Sequence, residues 1–230
     1  MNDFNATTPR RSFMGRLAAM AASIAGVGML GGAATLEAST MQPLHLGGPD
    51  DVWLSKLTGK HKTTFDVDTH KNGGALVQGK NFLDAWRDSF GVPEQQINLV
   101  MAVRGTGIPI VLNDEVWAKY KLGEQYGITD PSTKALAVRN LFINANLQSS
   151  GPVTSEQTVE ALQKRGVTFL VCRNTIAGAT KKLVAAGLGT TAQVHDTLTS
   201  GMIPGVTIVP AMVVAFTEMQ ERGVAYVYAG

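Results

Sequence analysis

The chain has 230 residues, 44% of them hydrophobic and 17% charged, with 25 Gly, one Cys and a formal net charge of +2. A single Cys excludes a disulfide-stapled mini-protein and any C-x-x-C redox pair, and glycine without a three-residue period excludes a collagen-like repeat. Lys+Arg 20 against Asp+Glu 18 gives no dense positive field for a phosphate backbone, so no nucleic-acid partner is expected.

Residues 1–16 read MNDFNATTPRRSFMGR, a polar leader carrying Arg10, Arg11 and Arg16, and Leu17 to Leu36 follows without a charge. A basic head before a weakly apolar run has the form of an export signal. The pair Arg10 and Arg11, followed by Ser12, Phe13 and Met14, resembles the twin-arginine signal of bacterial export. Small residues allow cleavage after Ala34 or Ala38, with the second favoured. The expectation is a signal peptide over 1–38 and a periplasmic protein exported by the twin-arginine machinery. If the leader stays uncut, its run of roughly 20 uncharged residues would anchor the chain in the membrane. Gly26, Gly28 and Gly31 spell G-x-G-x-x-G inside this segment, where no preceding strand gives the motif a dinucleotide meaning.

Residues 39–60 read as an extended lead-in with a short helix near Asp51 to Leu57. Lys62 to Val67 alternates with the two-residue period of a strand. Leu76, Leu83, Trp86 and Phe90 then fall on one helical stripe that Gly91 ends, and Ile97 to Val103 is a nearly continuous apolar run suited to a strand covered on both faces. A longer excursion follows over about 105–151, with a strand expected at Ile108 to Leu112 and a helix near Asp114 to Leu122. Such an insertion either packs as decoration or covers a site or a subunit contact. A helix over Ser155 to Arg165 leads to a strand at Val167 to Cys172 and a helix at Asn174 to Ala186. Val206 to Val209 is a further strand, a helix starting near Pro210 ends at Gly223, and Val224 to Tyr228 closes the chain as a strand. Strands separated by single helices imply a mostly parallel sheet with helices on both faces, an α/β domain over 61–230.

The segments VTFLVCRNTIAGATKKL and GMIPGVTIVPAMVVAFTEMQERGVAYVYAG resemble the DsrE/DsrF-like family of small α/β proteins, and NDEVWAKYKLGE (Asn113 to Glu124) resembles a branch of exported relatives. The resemblance implies a flavodoxin-like three-layer sandwich, assembly as a homo-oligomer (trimer or hexamer), and relay of sulfur as a cysteine persulfide to a thiol partner protein, with no cofactor. Only Cys172 carries over from the family's chemistry.

Cys172 is the sharpest candidate on its own grounds. At the carboxyl end of a parallel strand it faces the crevice where ligands bind, and the next helix's amino end together with Arg173 would favour the thiolate. Asn174 belongs to the same turn. The alternative is a buried structural thiol, since free Cys is among the most buried residue types. Arg104, before Gly105 and Gly107, is placed to meet a small anion or to pair with an acid of the insertion. Asp66, Asp68 and His70 form D-x-D-x-H at a strand end, a donor set of the oxygen and imidazole type that holds divalent cations. His195 beside Asp196 reads as surface, because neighbours on a helix diverge. The leading expectation is therefore an exported protein that binds or relays a small sulfur species through Cys172. The alternatives are a non-catalytic periplasmic binding or assembly protein with a structural cysteine, and a metal-binding protein.

Overall fold

Five parallel strands form one sheet: β1 (His61–Thr69), β2 (Ile97–Thr106), β3 (Thr168–Cys172), β4 (Val206–Val209) and β5 (Ala225–Tyr228), in the order β4-β3-β2-β1-β5. The computed structural model describes residues 52–147 and 151–230. The twin-arginine pair Arg10 and Arg11, the leader over 1–38, its cleavage sites and most of the lead-in lie outside the described residues. No helix among the described residues is long and apolar enough to cross a membrane.

The helices are α1 (Val52–Ser55), α2 (Gly74–Asp84), α3 (Asp114–Tyr120), α4 (Leu122–Tyr126), α5 (Val159–Lys164), α6 (Arg173–Ala185), α7 (Thr191–Ser200) and α8 (Met212–Glu221). Successive residues of a strand point to opposite faces, and β2 divides accordingly. Leu99, Met101 and Val103 enter one core with Leu83 of α2, Leu162 of α5 and Leu183 of α6. Val100 and Ala102 enter a second core with Trp53 and Leu54 of α1 and Met219 of α8. That double burial explains why the sequence of β2 is continuously apolar rather than alternating.

The topology follows from the preference for right-handed crossovers. Strands β1 to β4 are laid down in sequence toward one edge, so their connecting helices α2, α5 and α6 all pack on the first core. The step from β4 back to β5, on the far side of β1, runs the other way. Its helix α8 therefore packs on the opposite face. This is an α/β sandwich of three layers.

Three local expectations are corrected. Ile108–Val111 is a 3-10 turn rather than a strand, because Pro109 lacks the N–H that a ladder needs; only Leu112 makes a bridge, antiparallel to Met202. The helix expected over Ser155 to Arg165 starts later, where Thr158 caps it by accepting from the Ala161 N–H. Helix α7, capped by Thr190 and Gln193 reciprocally, was not expected as an element of its own. The insertion itself is packed: Ile108, Trp117, Tyr120, Leu122 and Phe142 are buried in the first core. Buried Asn140 holds its entry turn, its Nδ2 donating to the carbonyls of Pro109, Ile110 and Leu112 while its Oδ1 accepts from the Phe142 N–H.

Candidate functional site

Helices leaving adjacent strands diverge at one place, between β3 and β4: α6 goes to the first core and α8 to the second. Diverging connections leave a crevice beyond the carboxyl ends of the strands, and ligands of open α/β sheets bind there. Cys172 is the last residue of β3 and the N-cap of α6. The N–H of Met212, the first residue of α8, donates to its Sγ at 3.4 Å. The sulfur thus sits against the amino ends of two helices. The residue is 5% exposed and packs with Val209 and Met212, yet it also lines a cavity of about 470 Å³ in the crevice.

Asn174, Gly178 and Lys182 form one wall of that cavity, spaced i, i+4, i+8 along α6 and so on one helical face. Arg173, expected beside the thiolate, is exposed and lies outside the lining. Tyr126, the last residue of α4, closes the far side. Its ring lies 4.0 Å from Lys182 Nζ, which also donates to the Gln125 carbonyl. Burial pushes the Tyr126 phenol up to about 12, so it stays neutral at ordinary pH. The carboxyl end of β2 forms the rim, where the chain begins to turn. Gly105 has φ +54°, its N–H donates to Thr175 Oγ1 at 3.1 Å, and a Cβ on it would sit 2.6 Å from the Asp68 carbonyl oxygen. Only glycine closes this turn.

Two sets of residues that the sequence kept separate are one cluster. Arg104 donates from Nε and Nη2 to the two carboxylate oxygens of Asp66, at 2.7 and 2.8 Å. The Asp66 side chain is 2% exposed and also accepts from the Tyr226 hydroxyl of β5 at 2.6 Å. Asp68 accepts from the Tyr228 hydroxyl at 3.1 Å and lies 3.7 Å from Arg104 Nη2. Hydrogen bonding to Asp66 raises the Arg104 guanidinium and the Tyr226 phenol above their usual ranges, and Asp68 does the same to Tyr228. The anion candidate and two of the metal candidates therefore satisfy each other.

His70 is engaged elsewhere. Its Nε2 bonds the Tyr126 carbonyl at 3.2 Å and its Nδ1 accepts from the Asn72 N–H at 3.4 Å, the pattern of a neutral ring with the proton on Nε2. Asp66, Asp68 and His70 do not converge, and the metal reading is withdrawn. No group of three His, Cys, Asp or Glu side chains among the described residues is placed to hold a metal ion.

No family model matches the chain, and no curated protein matches it. Among solved structures, it is similar at 16% identity to one titled "Structure of Protein of Unknown Function MTH1491 from Methanobacterium thermoautotrophicum", with a TM-score of 0.38 over 73% of this chain and 98% of that one.

Lys182 and Tyr126 escaped the sequence reading. The i, i+4, i+8 face shared by Asn174, Gly178 and Lys182 was a signal for the first, once Cys172 was placed at the start of the same helix. Tyr126 had none, because only the packing of the insertion brings it to the crevice. His195 is not brought to Cys172; it lines a separate groove beside Ala177, Thr180 and Val184, with Asp196 Oδ1 at 3.5 Å on the surface.

Proposed function

We propose that the chain is an exported DsrE/DsrF-like protein that binds or relays a small sulfur species through Cys172 in the periplasm, reached by the twin-arginine machinery. The observation that carries the reading is the position of Cys172, a residue lining a cavity at the crevice between β3 and β4, whose Sγ accepts from the Met212 N–H. In the relay, the Cys172 thiolate attacks the outer sulfur of a donor persulfide. The donor's S–S bond breaks and its electron pair leaves on the donor thiolate, so that Cys172 now carries the persulfide. A thiolate of a partner protein removes that sulfur by the same displacement, with no net oxidation.

Treatment of the reduced protein with a low-molecular-weight persulfide donor, followed by intact-mass measurement, is expected to add one sulfur atom to the wild type and none to Cys172→Ser. Equal addition to both would sink the reading. A second reading, a structural cysteine in a non-catalytic binding or assembly protein, is favoured by the 5% exposure of Cys172 and its packing against Val209. It predicts no addition to either.

Self-assembly as a trimer or hexamer belongs to the same proposal. Its support is apolar exposure on β5 and α8: Tyr226, Val227 and Tyr228 are 42%, 40% and 56% exposed, and Val213 is 70% exposed. Sedimentation equilibrium is expected to return three or six times the chain mass; a monomer at every concentration contradicts assembly.

A further inference from the structure

We propose that the cavity beside Cys172 is the binding site of a small organic anion, its acid group held by Lys182 and its apolar body lying along Met212, Val213 and the Tyr126 ring. The inference stands on the cavity and goes beyond sulfur relay, since it holds whether or not Cys172 carries sulfur.

A cavity of about 470 Å³ is the size of a small-molecule site, apolar with a few placed polar groups. No carboxylate lines it. The Arg104 charge is neutralised by Asp66, to which it donates from Nε and Nη2. Lys182 is different. Its partners are the Gln125 carbonyl and the Tyr126 ring, neither of which carries a formal charge, and no carboxylate among the described residues lies within ion-pair distance of it. Lys182 is exposed at the mouth of the cavity, and an ammonium there with no carboxylate partner favours a negative group, a contact that strengthens when the ligand displaces water from it. The apolar remainder of the wall, Met212, Val213 and Ala179, gives an inorganic anion nothing to cover it with.

Gly178 lines the cavity, and a Cβ on it would meet nothing within 4 Å, so a side chain placed there has open space to enter.

Isothermal titration of the full chain uses benzoate, its neutral isostere benzamide, its cationic counterpart benzylamine, and sulfate. Benzoate is expected to saturate at one per chain, with the other three at least about tenfold weaker. Lys182→Met, which keeps an apolar side chain and removes the charge, is expected to weaken benzoate about tenfold. Gly178→Leu fills the cavity and is expected to abolish binding without lowering the melting temperature. The persulfide experiment reads Cys172 and this one reads Lys182, so a failure of either is read separately. No binding of benzoate, equal affinity for benzamide or sulfate, or undiminished affinity in Lys182→Met overturns the proposal.

Discussion

His70 shows how a side chain with metal-ligand chemistry becomes a structural one. Both ring nitrogens are engaged while the ring is neutral, Nδ1 as acceptor for Asn72 and Nε2 toward Tyr126. Burial lowers its pKa, and the hydrogen bond to the Tyr126 carbonyl offsets this only in part. A folded-state value below the ordinary histidine value of about 6.5 means that protonation favours the unfolded chain. The stabilisation is therefore fully present above that pH and is lost as pH falls below it through the folded value. Thermal unfolding from pH 8 down to about 5 is expected to show a fall in melting temperature that His70→Gln lacks. Parallel curves for the two proteins would contradict this use of the ring. Asp66 carries the companion lesson. Its spacing from Asp68 was visible in the sequence, but its real partner Arg104 lies on the neighbouring strand and was brought beside it by the sheet.

Among the elements, the insertion owes its order to one buried amide. Asn140 supplies donors to three carbonyls of the 3-10 turn and its exit, and the Pro109 carbonyl among them also accepts from the Leu112 N–H at 3.4 Å and from Trp117 Nε1 at 2.9 Å. Asn140→Ala leaves those carbonyls underserved in a fully buried position and is expected to cost about 2–4 kcal/mol. Urea unfolding measures it: the midpoint should fall while the slope stays constant. A loss below about 0.5 kcal/mol, the range of ordinary surface substitutions, would show that the amide does not hold the turn. The elements that were legible in the sequence are those in which periodicity and burial agree. β2 is apolar because both its faces are covered. Ile108 to Leu112 was misread because an apolar run signals burial without specifying geometry, and Pro109 decided the geometry.

At the scale of the molecule, strand order is the property that makes a site. A parallel α/β sheet could be inferred from alternating patterns, but the order β4-β3-β2-β1-β5 could not, because it depends on which edge each crossover returns to. That order places the divergence of α6 and α8 at Cys172, beside the face of α6 that carries Lys182, and the insertion brings Tyr126 to the same crevice. The central claim is that the sulfur of Cys172, a residue only 5% exposed, is reached from the cavity without unfolding. The direct measurement is the rate at which methyl methanethiosulfonate modifies Cys172 in the native protein, followed by mass across urea concentrations below the unfolding transition. A rate that is finite in water and flat through that range is the expected result. A rate that is negligible in water and rises only in parallel with global unfolding would contradict it.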